Sequence, residues 1–214
     1  MTFSASRVAE LKLDVTPSFL WSNLTCSQDH LAYSNRNSVV VLNSSALADL
    51  SLSPSSIQIE LSPFKDGIVN PPNITQTSLV SLDCGKFLLV TSPTTFAVFD
   101  CSNLKKESGS KPEPLFRKEL AQLDASILEG RKPDDHFFRG LAGPPTQKNI
   151  LFVGTSWGAI LAWRVESRSK GFEFSVFQVL TGGHSAPITS IVADERYGAG
   201  YVRFLNPIPL FLTH

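Results

Sequence analysis

The chain lacks an excess of charge of either sign. Among its 214 residues, 19 Lys and Arg balance 19 Asp and Glu, and charged residues make up only 18% of the total. A balanced charge gives no electrostatic footprint for nucleic acid or for an anionic membrane surface. Because 42% of the residues are hydrophobic, the low charge also excludes a disordered chain and predicts a packed core. We therefore expect a folded protein that does not bind nucleic acid.

Cysteines and long hydrophobic runs are also scarce. Cys26, Cys84 and Cys101 are widely spaced and form no C-x-x-C pair, which argues against a disulfide framework or a zinc site. We expect all of them to be small buried side chains in a reducing compartment. No run approaches the roughly 20 apolar residues of a membrane span, and residues 1–16 carry no secretory h-region. The sequence predicts a cytoplasmic protein with no metal, no cofactor and no membrane span.

An internal repeat is the strongest feature of the sequence. Segments 32–43, 89–100 and 153–164 align without a gap, and each contains an apolar run, a short polar turn and a second apolar run. The third position always carries a hydroxyl residue and the eleventh a large apolar one, namely Ser34, Thr91 and Thr155, and Leu42, Phe99 and Trp163. Such self-similarity indicates a repeat architecture.

Each repeat predicts a β-hairpin. β-Branched and aromatic residues dominate the runs, and Asn, Ser, Thr, Pro and Gly fill the turns. The runs are apolar throughout, which is typical of strands covered on both faces by stacked sheets. We therefore expect an all-β fold with hairpins near residues 31–42, 87–100 and 150–165.

Residues 102–132 are predicted to form an insertion between the second and third hairpins. Its first part is rich in charge, Gly and Pro. Two alternatives remain for the part that follows. Leu115 and Phe116 could open an outer strand, or an apolar stripe could form a short helix that Gly130 and Pro133 would end. The stripe comprises Phe116, Leu120, Leu123 and Ile127, and a short helix is the alternative we favour.

Several segments carry a resemblance to a known family. Gly183 and His184, with the apolar run after them, resemble the Gly-His opening and first strand of a WD repeat. Residues 153–164 resemble its second and third strands, with Trp163-Arg164 where Trp-Asp would stand. The stretches at residues 71–76, 137–142 and 152–158 also resemble stretches that occur in this order in a protein with WD repeats. The chain resembles the WD-repeat β-propeller family, which implies an intracellular propeller that binds protein partners and has no catalytic site.

The resemblance is incomplete in its polar residues. In WD repeats a turn Asp, a strand Ser or Thr, the Gly-His histidine and the Trp form a buried hydrogen-bonded set. Arg36, Pro93 and Trp157 replace the turn Asp here. Only Thr155 and Trp163 stand in matching places in the third unit.

The chain is too short for a closed ring. A propeller uses about four to eight blades, and a WD repeat runs to roughly 40–45 residues. We expect an incomplete propeller at residues 17–194, made of about three blades and the first strand of a fourth. Residues 1–16 would be a lead-in and 195–214 an atypical tail, broken by Pro207 and Pro209. Such a truncated form would expose blade edges through which copies could self-associate.

A serine hydrolase is the alternative function. Gly154-Thr155-Ser156-Trp157-Gly158 matches the G-x-S-x-G nucleophile elbow and follows an apolar run, with Asp194 and His214 downstream in the required order. Against it, residues 159–165 repeat the strand pattern of the earlier units, and no His-Gly-Gly motif lies upstream. We expect Ser156 to lie in a β-turn.

The favoured function is a non-catalytic scaffold that presents loops and blade edges to protein partners. The expected contact elements are the inter-unit loops and the turns at residues 34–37, 91–94 and 156–158. Fold-level analogy is the warrant for this expectation. We expect His184 to be a buried histidine that is hydrogen-bonded within a propeller blade. The tryptophans Trp21, Trp157 and Trp163 are expected to pack in the core or between blades, and Asp134, Asp135 and His136 to lie in a solvated acidic loop.

Overall fold

A computed structural model gives the architecture of the chain. It describes residues 24–43, 56–60, 73–104, 112–143, 149–183, 185–188, 190–191, 193–194, 201–202 and 210–211. The predicted lead-in at residues 1–16, Trp21, His184, Pro207, Pro209 and His214 lie outside these residues.

Three four-stranded antiparallel sheets follow one another along the chain, each with its strands in sequence order. The first sheet contains β1 (Leu24–Cys26), β2 (His30–Asn35), β3 (Ser38–Asn43) and β4 (Ser56–Glu60). The second contains β5 (Gln76–Leu82), β6 (Gly85–Thr91), β7 (Thr95–Asp100) and β8 (Phe116–Glu119). The third contains β9 (Phe138–Ala142), β10 (Ile150–Thr155), β11 (Ile160–Arg168) and β12 (Gly171–Leu180).

A fourth, smaller sheet begins where the sequence predicts the opening strand of another unit. It contains β13 (Ala193–Asp194), β14 (Tyr201–Val202) and β15 (Leu210–Phe211), paired antiparallel in that order. The strands β14 and β15 lie within the stretch that the sequence marks as an atypical tail, and each has only two residues.

The core lies between successive sheets. Side chains along the strands point alternately toward the sheet before and the sheet after, and both sets are apolar. In β6, Phe87 and Leu89 pack toward the third sheet, whereas Leu88 and Val90 pack toward the first. All of these side chains are fully buried. Because successive side chains of a strand point to opposite faces, an uninterrupted apolar run is what a sheet covered on both faces requires. The all-β prediction of stacked hairpins is confirmed.

The insertion contains both of the predicted alternatives. Phe116 opens the outer strand β8, and a single helical turn, α1 (Ala125–Leu128), follows it. The short 3₁₀ turns Leu120–Gln122 and Pro133–Asp135 flank this helix. Leu120, Leu123, Ile127 and Leu128 are buried in the cluster between the second and third sheets. The helix stripe therefore packs as predicted, but much of the stripe lies outside α1.

The cysteines do not share one environment. Cys101 is buried, Cys84 is half-buried and Cys26 is exposed, and all are free thiols. The prediction of uniformly buried thiols is therefore wrong for Cys26, which lies on the short strand β1. Among the described residues, no helix is long and apolar enough to cross a membrane.

Candidate functional site

The turns between the second and third strands of the sheets form the candidate site. In each sheet, a backbone carbonyl at or beside this turn accepts a hydrogen bond from a backbone N–H near the start of the next unit. Arg36 O accepts from Ile74 N at 2.6 Å, Pro93 O from Phe138 N at 2.9 Å, and Thr155 O from Ile188 N at 3.0 Å. The three turns therefore lie at the same end of the stack of sheets, and a backbone hydrogen bond joins each one to the next unit.

Buried hydroxyl side chains at the ends of β6 and β10 make hydrogen bonds beside two of these turns. The side chains of Thr91 and Thr155 are fully buried. Thr155 Oγ1 donates to Ala159 O at 2.8 Å and accepts from Ala159 N at 3.0 Å. Thr91 Oγ1 lies 3.0 Å from Thr75 Oγ1, at the start of the second unit. The hydroxyl position that repeats in the sequence therefore has a structural role in these two units.

The hydrogen-bonded set of WD repeats is not formed in the third unit. Thr155 Oγ1 bonds Ala159, and the buried Trp163 Nε1 has no hydrogen-bond partner in the part of the chain that the structure describes. Trp163 instead packs among aromatic rings, with its centroid 5.1 Å from that of Phe116 and 6.1 Å from that of Phe96. The packing role expected for Trp163 is confirmed, but Trp163 does not take part in the hydrogen-bonded set that is typical of WD repeats.

Ser156 lies in a turn that joins two strands. Its Oγ is 2.9 Å from His136 Nδ1 and accepts from Phe137 N at 3.1 Å, and Ser156 N donates to Phe137 O at 2.9 Å. A nucleophile elbow needs a strand-to-helix turn that exposes the serine. Here strand β11 follows, and the side chain is half-buried. The β-turn expected for Ser156 is the one observed, and its hydroxyl joins the turn to the segment before β9.

The third turn is less accessible than the other two. Trp157 is only 8% exposed, whereas Arg36 and Thr94 in the first and second turns are exposed. The end of the insertion and the segment that follows it cover Trp157, because Arg131 Cζ lies 5.9 Å from the Trp157 ring centroid and the centroid of the His136 ring lies 5.1 Å from it. The expectation that residues 156–158 form an exposed contact element is therefore corrected for Trp157.

Arg131, His136, Ser156 and Trp157 together make up what we call the turn cluster. Arg131 Nη1 is held by Glu129 Oε2 at 2.6 Å and by Leu128 O at 3.3 Å. His136 is half-buried, so it does not belong to a solvated loop as predicted. Sequence reasoning missed both Arg131 and His136. The pairing of Thr155 with Phe138 across β9 and β10 brings residue 136 beside Ser156, and no sequence spacing reveals that register.

Electrostatic perturbations lie away from the turns. Burial raises the pKa of the Cys101 thiol to about 12. At the opposite end of the sheets, a hydrogen bond from Lys86 lowers the pKa of Asp29. The described part of the chain contains no group of His, Cys, Asp and Glu side chains that could hold a metal ion.

Comparisons with known proteins place the architecture. No family model and no curated protein matches the chain. The computationally designed protein Ika4 has a similar structure, with a TM-score of 0.50 at 12% identity, covering 98% of each chain. The WD40 domain of Toxoplasma gondii coronin matches with a TM-score of 0.58 at 14% identity over 89% of this chain. The match spans only 43% of the solved coronin WD40 chain. These likenesses show the fold, which is an incomplete WD40-type β-propeller.

Proposed function

We propose that the chain is a non-catalytic WD-repeat scaffold that works in the cytoplasm and binds protein partners at its turn end. The observation that carries the proposal is the repeated backbone hydrogen bond between each turn and the next unit. Turns fixed in this way lose little conformational entropy when a partner binds, so more of the contact energy appears as affinity. The fold likeness to the coronin WD40 domain agrees with this kind of function.

The contact surface that we propose joins the open turns to the rim of the turn cluster. Arg36 and Thr94 are exposed, and Arg131 and His136 are half-buried beside the third turn. Arg131 is fixed by Glu129 and by the Trp157 ring. An arginine fixed in this way presents hydrogen-bond donors in a set direction, which suits recognition of a partner carboxylate.

We further propose that additional blades complete this partial ring. The sequence motifs resemble those of the N-terminal half of WD repeat-containing protein 54, and the match covers less than half of the solved coronin WD40 chain. Blades could come from a longer form of the same protein or from a second copy that associates through open edges. Sequencing full-length transcripts beyond the codon for Asp194 tests the first source.

Affinity capture with surface variants tests the scaffold proposal. The double variant Arg36→Glu/Thr94→Lys changes two exposed turn residues and leaves the backbone hydrogen bonds of the turns in place. Lys170→Glu is the matched control, because it changes an exposed charge in the β11–β12 turn at the other end of the third sheet. We expect proteins captured by the wild type and by Lys170→Glu to fall at least tenfold with the double variant. Equal capture by all three proteins would overturn the proposal.

A further inference from the structure

The outermost strands of the three blades differ in length and charge. The strand β4 has 5 residues, and β8 has 4, with the charged residues Arg117, Lys118 and Glu119. The strand β12 has 10 residues, and Glu173 is its single charged residue. Proteins usually protect a sheet edge by making it short, charged or proline-containing. By these criteria β8 is protected, whereas β12 is a long, nearly neutral edge.

The outer edge of β12 is open. Among the described strands it pairs only with β11. Its first residues alternate strictly in exposure: Glu173 and Ser175 are exposed, while Phe172, Phe174 and Val176 are half-buried against the cluster between the second and third sheets. Phe174 stacks on Phe116 with centroids 4.7 Å apart. The edge therefore offers unpaired backbone groups flanked by one apolar face and one polar face.

A β-bulge limits the part of β12 that can accept another strand. Trp163 pairs with Val176 and Ala162 with Gln178, so Phe177 is the extra residue. Phe177 is 45% exposed, and Arg164 Cζ lies 4.5 Å from its ring centroid. Since a bulge bends and twists its strand, the regular edge is confined to residues 171–176.

We propose that residues 171–176 of two copies pair antiparallel, so that two third sheets join into one continuous sheet across a two-fold axis. This inference rests on the self-association included in the proposed function and names the surface responsible. A two-fold interface must be complementary to itself. Residues directly opposite in an antiparallel pair have side chains on the same face, so the centre of symmetry must fall on a residue and not between two.

Of the registers that pair five residues within the regular edge, one satisfies these conditions. A centre on Glu173 would place two carboxylates opposite each other, and a centre on Ser175 would place Glu173 opposite the bulged Phe177. With the centre on Phe174, this residue lies opposite its own copy, Phe172 opposite Val176, and Glu173 opposite Ser175. Apolar residues then meet apolar residues, and each carboxylate faces a hydroxyl group. This self-complementarity favours a second copy over a foreign peptide as the occupant.

Charge substitutions at Ser175 test the register. Ser175 and Glu173 are exposed, and so is the ion pair that Glu173 Oε2 makes with Arg168 Nε at 2.9 Å. Because an exposed ion pair contributes little to stability, substitutions at both positions should leave the fold of each copy intact, which a thermal melt monitors. Ser175→Glu places two like-charged pairs opposite each other in the dimer, and such pairs destabilise a strand pairing. Sedimentation velocity over a range of concentrations is the measurement. We expect a wild-type dimer that Ser175→Glu weakens at least tenfold and that Ser175→Lys, opposite Glu173, strengthens.

The compensating variant Glu173→Lys/Ser175→Glu should restore dimerisation by making both cross-strand pairs attractive. Ser81→Glu is the control, because it adds the same charge at an exposed serine of β5 in the second sheet, which is not on the strand beside β12. A folded wild type that stays monomeric at all concentrations would overturn the pairing together with self-association. A dimer that Ser175→Glu does not weaken would overturn the edge pairing alone and leave self-association through another surface. A one-to-one complex with an added extended peptide, without wild-type dimer, would likewise overturn it.

Discussion

The second and third sheets arise from similar hairpin sequences but reach different environments. In the second sheet, Thr95 to Phe99 of β7 are all buried, because the first and third sheets cover its two faces. In the third sheet, β11 is buried at residues 160–163 and at Val165 but exposed at its last two residues, and β12 is exposed at every second residue near its start. An apolar run therefore specifies a strand, whereas the burial of that strand depends on which sheets lie beside it.

The two interfaces of the second sheet, with the third sheet and with the first, also differ in their hydrogen bonds. The second sheet is joined to the third by a buried hydrogen bond of 2.7 Å from Gly140 N to Gln76 Oε1. It is joined to the first by a half-buried bond of 3.1 Å from Leu79 N to Thr25 Oγ1. Because an unmade hydrogen bond costs more where water cannot replace it, we expect the second–third interface to be the stronger of the two.

Removing a phenylalanine from each environment is the strongest test of the contrast. Phe96 is fully buried between the second and third sheets, whereas Phe177 is 45% exposed on β12. We expect Phe96→Ala to lower the free energy of unfolding by about 3–5 kcal/mol, as full burial of the ring predicts. Phe177→Ala should cost roughly 0.5 kcal/mol, because a surface substitution removes little packing. Urea denaturation measures both values, and similar losses would contradict the assigned burial.

Loss of the two inter-sheet acceptors should have a smaller but graded effect. Gln76→Leu keeps the side-chain volume and leaves the buried Gly140 N–H without its acceptor, which should cost about 1–3 kcal/mol. Thr25→Val removes the acceptor of Leu79 N at a half-buried position, where water can substitute, and should cost roughly 0.5–1 kcal/mol. The same denaturation experiment compares them. A larger loss for Thr25→Val would reverse the ranking of the two interfaces.

Much of the fold could be predicted because its cause is local. The repeated apolar runs of residues 32–43, 89–100 and 153–164 predict hairpins covered on both faces, and the sheets contain them. The insertion is less predictable from its sequence. Its apolar stripe fits a helical period, and yet Phe116 lies in a strand, Leu120 in a 3₁₀ turn, Leu123 in the bend that follows and Ile127 in α1. Packing on the second and third sheets decided the outcome there, and periodicity alone carries no information about that packing.

The candidate site was predicted only in part, because it depends on contacts between distant segments. The repeated hydroxyl position at Thr91 and Thr155 was visible in the sequence. The contact between His136 and Ser156 spans 20 residues and follows from the pairing of β9 with β10. Trp157 looked like part of an open turn, and only the packing of Arg131 and His136 against its ring shows that it is covered.

Cysteine reactivity offers the finest test of which faces are covered. Thr25 points toward the second sheet through its bond to Leu79 N, so its neighbour Cys26 faces away from that sheet and is exposed. Cys101 packs between the first and second sheets. Cys84 is half-buried, and its backbone N donates to Asn149 Oδ1 at 3.1 Å. Burial raises the pKa of the Cys84 thiol and raises the pKa of Cys101 to about 12.

Because the thiolate is the reactive form, we expect iodoacetamide at pH 8 to modify Cys26 first, Cys84 more slowly and Cys101 last. With its pKa about 12, Cys101 would be ionised to the extent of about one part in ten thousand at this pH, and its rate would rise roughly tenfold for each added pH unit. Mass spectrometry of time points gives the order, and denatured protein supplies the control in which the three rates converge. Rapid modification of Cys101 in the folded protein would mean that the first sheet separates transiently from the second. The face of the second sheet that packs on the first would then be exposed to solvent for part of the time.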